Sequence, residues 1–199
     1  GEKWPKVWVV PHEFVATSMA HGYTMVSDEP SLVGYHVTVG IANAVGAIIN
    51  AYTARVPIVL FGGKRSWTVE GMPGSAVGPI GQEVYDQGGL VRQYVKYDYE
   101  FKVPQHIPQV LHRALQIAQT APKGPVYLMF PKELSLMKTS DVKIQPKELF
   151  MPAAPPHGDP AAIRQAAELL VNAVNPVILV GGGTLGRNPT AVYNLIRLA

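Results

Sequence analysis

The chain has 199 residues, 47% of them hydrophobic and 16% charged, so it has enough apolar material for a core and lacks the composition of a disordered chain. Its formal net charge is +3, and no basic run interleaves with aromatic residues, so the sequence gives no indication of nucleic-acid binding. The absence of cysteine excludes disulfides, thiol catalysis and cysteine-bound metals, and the six histidines have no metal-ligand spacing.

Targeting and membrane signals are missing from the sequence. No apolar run approaches the roughly 20 residues that a membrane span requires. Residues 1–6 lack the apolar core of a signal peptide, so we expect a cytoplasmic protein without membrane partners. Both ends look cut, because a strand is predicted almost at the start and residues 193–199 follow a helical pattern without a stop signal. We therefore expect a piece of a larger protein.

Strand-like runs and helical patterns alternate along the first part of the chain. The predicted elements are a strand at Val7–Val10, a helix from about His12 to Val26, a strand at Ser31–Tyr35, a helix over 41–52 and a strand at Pro57–Phe61. Pro11 ends the first strand. The first helix carries an apolar side that is expected to anchor it, formed by Val15, Met19, Tyr23 and Val26.

The next part contains a long irregular segment and two further elements. Lys64–Gly81 is rich in glycine and proline, and a loop of this length inside a compact domain is often functional. Short helical pieces are predicted over Gln82–Tyr94, a helix over Pro104–Ala121 and a strand over Gly124–Phe130. This alternation predicts the α/β class, with a parallel sheet flanked by helices.

A change of composition divides the chain into a domain at 1–134, a linker at 135–158 and the start of a second α/β domain at 159–199. Prolines accumulate in the linker without periodicity. Asp159 is expected to cap a helix over Pro160–Ala173, and a strand is predicted at Pro176–Val180. The turn Gly181–Gly186, GGGTLG, matches the dinucleotide pattern G-x-G-x-x-G, but the acidic residue expected about 20 positions later would lie beyond residue 199. A plain strand-to-helix turn is therefore the favoured interpretation.

Polar residues follow the first two predicted strands, where ligands of open α/β sheets bind. Glu13 comes after the first strand, and His36, Gly40 and Asn43 come after the second. A glutamate in a first helical turn is also favoured by the helix dipole, by about 0.3–1 kcal/mol. Gly40 could equally serve helix–sheet packing, and His36 could be a hydrogen-bonded core residue. A zinc site of the H-E-x-x-H type is excluded because Ala16 occupies the second histidine position.

Four segments, in the same order and with similar spacing, resemble the thiamine-diphosphate enzymes of the acetolactate synthase, pyruvate oxidase and benzoylformate decarboxylase group. They are HEFVATSMAHGYTMVSDEP, GYHVTVGIANAVGAIINAYTARVPIVLFGG, QEVYDQGGLVRQYVKYDYEF and RALQIAQTAPKGPVYLMFPKEL. The resemblance implies that 1–134 is a pyrimidine-binding domain lacking its first strand and helix, and that 159–199 begins the central domain. Nothing matches the family's third domain, which binds the diphosphate and Mg²⁺.

The resemblance also implies a catalytic role for Glu13. In the family, the matching glutamate hydrogen-bonds N1′ of the cofactor's aminopyrimidine and promotes the imino tautomer that removes the thiazolium C2 proton. The resulting ylide attacks a 2-keto acid, which loses carbon dioxide. Gly40 and Asn43 would line the pyrimidine pocket. Because this chemistry needs a carboxyl that shares its proton, we expect burial to raise the pKa of Glu13, against the helix dipole.

The subfamily stays open. His36 matches a histidine of the benzoylformate decarboxylase-like members, where it would protonate or orient the substrate carbonyl. Gln82 instead resembles a synthase glutamine near the substrate, although Tyr35–Val39 departs from the synthase pattern.

The sequence therefore predicts part of a thiamine-diphosphate- and Mg²⁺-dependent lyase or transferase acting on a 2-keto acid as a homodimer or homotetramer. In the family the site lies between two chains, so this chain alone is expected to be inactive. Whether FAD occupies the central domain stays open. The alternative is a non-catalytic nucleotide-binding (FAD or NAD) or regulatory module that uses Gly181–Gly186.

Overall fold

The computed structural model describes residues 5–76, 82–140, 142–181 and 188–199. The chain divides into two compact units, 1–152 and 153–199. The first unit contains α1 (Glu13–Ser27), β1 (Ser31–Tyr35), α2 (Thr38–Thr53), β2 (Ile58–Lys64), β3 (Asp98–Glu100), α3 (Ile107–Gln119), β4 (Val126–Pro131) and α4 (Lys132–Leu136). Short 3-10 helices lie at Gly88–Leu90, Arg92–Tyr94, Pro104–His106 and Lys147–Phe150.

The second unit contains α5 (Pro160–Asn172) and α6 (Pro189–Leu198). The predicted cap of α5 is confirmed, because the Asp159 carboxylate accepts hydrogen bonds from the N–H groups of Ala161 and Ala162. Asn188 caps α6 in the same manner by accepting from the N–H of Ala191. Within the described residues, no helix of the chain has the length and apolar character that a bilayer crossing requires.

The sheet of the first unit has four parallel strands in the order β1-β2-β4-β3. Leu60 of β2 lies opposite Val33 of β1 and Tyr127 of β4. The predicted α/β class with a parallel sheet is confirmed. The strand β3 was not predicted, because its three residues, DYE, are too few to show periodicity.

Helices cover both faces of the sheet. Successive side chains of β2 point to opposite faces, so this strand contributes to the core on both sides. Ile58 and Leu60 pack with Ile48 of α2 in one apolar cluster. Val59 packs with Ala114 of α3 in the cluster on the other face. These five residues are at most 2% exposed, so β2 forms the centre of the core.

Two predicted strands are wrong. Val7–Val10 and Pro176–Val180 form no strand in the structure. Most of their apolar side chains are exposed instead, with Val9 at 95% and Leu179 at 93%, and Val10 is partly buried. A strand exists only when a neighbour pairs with its backbone, and an apolar run carries no information about that neighbour.

The apolar side of α1 does not anchor the helix as expected, because Val15, Met19, Tyr23 and Val26 are 45–91% exposed. The buried residues of α1 are instead Thr17, Ala20 and Thr24. Small side chains suit this face because α1 packs closely against α2 and β1. Near its C-terminal end, Thr24 Oγ1 lies 2.6 Å from Ser31 Oγ at the start of β1.

Gln87, which is 3% exposed, links three elements near the carboxyl ends of the strands. Its side-chain amide donates to the carbonyl of Gly63 at 2.9 Å and to the Tyr127 hydroxyl at 2.7 Å. Its oxygen accepts from the Thr38 hydroxyl at 3.3 Å. Gln87 therefore holds the start of α2 against β2 and β4.

Replacing Gln87 by methionine keeps the side-chain volume but leaves Thr38, Gly63 and Tyr127 without this partner. We expect the free energy of unfolding, measured by urea denaturation, to fall by about 1–3 kcal/mol. The matched control is Gln82→Met, because Gln82 is exposed and a surface substitution changes stability by about 0.5 kcal/mol or less. Equal stability of the two variants would contradict the bridging role of Gln87.

Candidate functional site

The helix α1 begins at Glu13, and the preceding residue, His12, is its N-cap. The backbone of His12 is extended, and its Nδ1 accepts a hydrogen bond from the Phe14 N–H at 3.2 Å. The imidazole thereby satisfies one of the N–H groups that a helix leaves free at its start. His12 thus has a structural role that the sequence did not indicate, and it fixes where the helix begins.

The N-terminal parts of α1 and α2 meet at Glu13. Asn43 Nδ2 donates to Glu13 Oε2 at 3.2 Å. A Cβ atom on Gly40 would lie 3.4 Å from Glu13 Oε1 and 3.1 Å from the Cβ of Tyr35, which is tight. The structure therefore brings together three of the predicted residues, Glu13, Gly40 and Asn43, and the missing side chain at Gly40 leaves room beside the carboxylate.

The expectation of a raised pKa at Glu13 is wrong for this structure. The hydrogen bond from its own backbone N–H lowers the pKa of Glu13 most, followed by the hydrogen bond from Asn43, and these outweigh the opposing effect of partial burial. The nearby charges of His12 and His36 lower it further. Because Glu13 is only partly buried, the desolvation expected from the sequence is small.

The two predicted substrate-contact residues differ in position. His36 directly follows β1, is exposed, and lies near enough to Glu13 to lower the pKa of its carboxyl. Gln82 is also exposed, and among the described contacts of Glu13 none involves it. The buried glutamine, Gln87, lies five positions further along the chain. Sequence reasoning missed it because both glutamines stand in the same polar segment, and only packing distinguishes them.

A separate cleft of about 340 Å³ lies beside β2, β3 and β4 and is lined by charged side chains. Lys64 pairs there with Glu100, and Arg92 pairs with Asp86 at 2.5 Å and with Asp98 at 2.8 Å. Burial alone would raise the pKa of Glu100, but its hydrogen bonds to lysines and to a tryptophan lower it to about 2. Since these cations are paired with carboxylates, the cleft offers no surplus positive charge for an anion.

Neither a metal site nor the predicted dinucleotide turn can be located among the described residues. No group of three or more histidine and acidic side chains suited to a metal ion occurs among the residues that the structure describes. Of the predicted dinucleotide turn Gly181–Gly186, residues 182–186 lie outside the described residues.

The residues at Glu13 fit an aminopyrimidine. A ring nitrogen needs one carboxyl oxygen as its partner, and Asn43 engages only Oε2 of Glu13. The other oxygen, Oε1, faces the space where Gly40 has no side chain. A Cβ atom on Gly40 would occupy this space and crowd Tyr35, so glycine keeps it open, and we call this space the cradle.

Comparisons with known proteins identify the family that the first part of the chain matches. Residues 2–90 match the family model described as thiamine pyrophosphate enzyme, N-terminal TPP binding domain. Benzoylformate decarboxylase of Pseudomonas aeruginosa is 29% identical over 178 residues, which cover 89% of this chain and 32% of that protein. Acetolactate synthase isozyme 3 large subunit of Escherichia coli is 30% identical over 179 residues, which cover 89% of this chain and 30% of that protein.

A solved structure gives the same assignment. The thiamine diphosphate-dependent 4-hydroxybenzoylformate decarboxylase of Rhodococcus jostii superposes with a TM-score of 0.63 at 29% identity, over 84% of this chain and 30% of that one. The chain thus spans about a third of the length of the curated relatives it matches. The matched residues 2–90 include Glu13, Gly40 and Asn43. Residues 2–90 of the chain therefore belong to the thiamine-diphosphate-dependent enzyme family, as the sequence resemblance indicated.

Proposed function

We propose that this chain is the pyrimidine-binding part of an enzyme that makes or breaks a carbon–carbon bond next to a carbonyl, by decarboxylation of a 2-keto acid, by carboligation, or by both. The main support for this proposal is the position of the Glu13 carboxylate. Asn43 bonds to its Oε2, while its Oε1 faces the space at Gly40. Relatives named as a decarboxylase and as a synthase support the reaction class.

In this proposal Glu13 holds and exchanges a proton at Oε1, facing a ring nitrogen of the cofactor. When bound, thiamine diphosphate supplies the reactive carbon and the electron sink that this bond chemistry requires. Asn43 keeps the carboxyl group from rotating, and Gly40 lets a flat ring approach it. Glu13 would thus exchange the proton, Asn43 would orient the carboxyl group, and Gly40 would give the ring access to it.

The low pKa of Glu13 in the free chain is compatible with this role. Water still reaches the carboxylate, which is only partly buried. A ligand stacked into the space at Gly40 would remove that water, and desolvation raises the pKa of a carboxyl. Glu13 would therefore be ionised before binding and better able to share a proton afterwards.

His36 and Gln82 are proposed substrate contacts. His36 follows β1 near Glu13, where it would protonate or orient the carbonyl of a 2-keto acid. Gln82 is assigned by its resemblance to a synthase glutamine alone. The diphosphate and its Mg²⁺ would be bound outside the part of the family that this chain matches.

We expect Glu13→Gln to slow exchange of the C2 proton of bound thiamine diphosphate by about 10²- to 10⁴-fold, the usual contribution of a positioned acid–base group. The amide keeps the shape of the carboxyl but cannot exchange a proton. The measurement is quenched-flow deuterium exchange followed by NMR on the holoenzyme. Glu29→Gln, at an exposed glutamate after α1, is the matched control, and normal exchange in Glu13→Gln would exclude the role.

We also propose that the enzyme is a homodimer or homotetramer. The exposed apolar side of α1, formed by Val15, Met19, Tyr23 and Val26, has the character of a surface that a protein partner covers. A site shared between two chains, as in the family, would require such an assembly.

Sedimentation velocity of the holoenzyme tests the assembly. Met19→Lys places a charge on the apolar side of α1 and should shift the protein toward the monomer, because a buried unpaired charge is costly. Leu149→Lys is the control, since Leu149 is also exposed, at 66%, and lies away from α1 in the sequence. A monomeric wild-type enzyme at micromolar concentration would refute the proposal.

The alternative function is a non-catalytic FAD- or NAD-binding or regulatory module that uses Gly181–Gly186. Isothermal titration calorimetry of the full-length enzyme, freed of cofactor, with thiamine diphosphate and Mg²⁺, NAD and FAD separates the two. We expect heat of binding from thiamine diphosphate, weakened by Asn43→Ala. Tight binding of a dinucleotide without any binding of thiamine diphosphate would favour the alternative.

A further inference from the structure

We propose that Tyr35 is a positioning residue for Glu13 and that it acts through Thr17. The Tyr35 hydroxyl lies 2.7 Å from Thr17 Oγ1, and Thr17 Oγ1 lies 2.8 Å from the carbonyl oxygen of Glu13. These two hydrogen bonds form a relay from Tyr35 through Thr17 to Glu13. The functional meaning of the relay rests on the proposed role of Glu13, but the hydrogen bonds themselves do not depend on it.

The direction of the relay follows from the number of protons. A carbonyl oxygen can only accept, so the Thr17 hydroxyl donates its single proton to Glu13. Thr17 Oγ1 must then accept from Tyr35, whose phenol is the donor. The chain of donation therefore runs from the last residue of β1, through α1, to the main chain of the candidate catalytic residue.

Burial makes both links specific. Thr17 is fully buried and Tyr35 is 6% exposed, and a buried hydroxyl without a partner is unfavourable. Burial also raises the pKa of Tyr35 strongly, against the opposing effect of its hydrogen bond with Thr17. The phenol thus keeps its proton, and so remains a donor, at neutral pH.

The relay sets the position of the first turn of α1 against the end of β1. Tyr35 also contacts the position where a side chain on Gly40 would stand, since a Cβ there would lie 3.1 Å from the Cβ of Tyr35. Tyr35 therefore bonds to Thr17 of α1 and also borders the cradle beside Gly40 of α2. The main chain of Glu13 is held by Thr17 and its carboxylate by Asn43, so both ends of the residue are fixed.

The same helix contains a matched pair of hydroxyls that lies away from Glu13. Thr24 is as buried as Thr17, and its hydroxyl bonds to Ser31 at 2.6 Å, also joining α1 to β1. A substitution at Thr24 removes a hydroxyl of the same kind from the same helix. It therefore distinguishes a local effect on Glu13 from a general loosening of α1.

The test is a pH titration of the Glu13 side-chain carboxyl by ¹³C NMR in the 199-residue chain without cofactor. The variants are Tyr35→Phe, Thr17→Val, the double variant and Thr24→Val, each with its unfolding midpoint measured. The other titratable groups that interact electrostatically with Glu13 are His12, His36 and Tyr35, and the two histidines are followed in the same samples.

We expect Tyr35→Phe and Thr17→Val each to raise the pKa of Glu13 toward that of an unperturbed glutamate. A loosened first turn weakens the hydrogen bonds from Asn43 and from the Glu13 backbone N–H. The double variant should give no larger shift than the single ones, because both remove one relay. Thr24→Val should leave the Glu13 titration unchanged.

An unchanged Glu13 titration in Tyr35→Phe, or an equal shift in Thr24→Val, would overturn the relay. Since no cofactor is present, this result is independent of the catalytic role of Glu13. If the titration shifts as expected but Glu13→Gln retains C2 proton exchange in the holoenzyme, the relay stands and the proposed function fails.

Discussion

Parallel pairing of the four strands is the constraint on which the rest of the structure depends. Because all the strands run in one direction, each connection must return across the sheet, and α2 and α3 do so on opposite faces. The same geometry places the start of α1 and the start of α2 beside the carboxyl end of β1. The contact between Glu13 and Asn43, 30 positions apart, is a consequence of this topology.

Buried polar groups secure the loops and helix starts at this edge. Gln87 holds the beginning of α2 through Thr38, and Glu133 holds the long loop after β2. The Glu133 carboxylate is fully buried and accepts from the N–H of Thr68 at 2.9 Å and from its hydroxyl at 3.0 Å. Burial opposes its ionisation, but these hydrogen bonds still lower the pKa of Glu133. A buried polar group with fixed partners specifies one arrangement of the chain around it.

The interactions that position Glu13 affect its pKa in the opposite direction to the change that its proposed role requires. Its hydrogen bonds fix the carboxylate and also stabilise its ionised form, so the groups that position it oppose protonation. Removal of water by a bound ring would act in the opposite direction. Under the proposed function, the chain would supply the geometry, and a bound ligand would supply the desolvation that the chemistry requires.

Local sequence patterns were enough to predict many of the helices and strands of this protein. The apolar repeats of α2 and α3, the runs at β1, β2 and β4 and the Asp159 cap could all be located in the sequence, because they depend on neighbouring residues. The proximity of Glu13, Gly40 and Asn43 was also expected, but for Glu13 the expectation relied on a strand at Val7–Val10 that does not form, and the start of α1 brings Glu13 there instead. The family resemblance came from the same segments.

Only the tertiary structure decided which surfaces meet. Val7–Val10 has the sequence of a strand but lacks a pairing partner, and the apolar side of α1 faces outward while Thr17 faces inward. Gln87 is buried and Gln82 is exposed, and the pKa of Glu13 falls where burial was expected to raise it. Strand pairing and burial depend on residues that are distant along the chain, and the pKa of Glu13 depends in part on its burial and on the distant Asn43, so no local pattern of the sequence contains them.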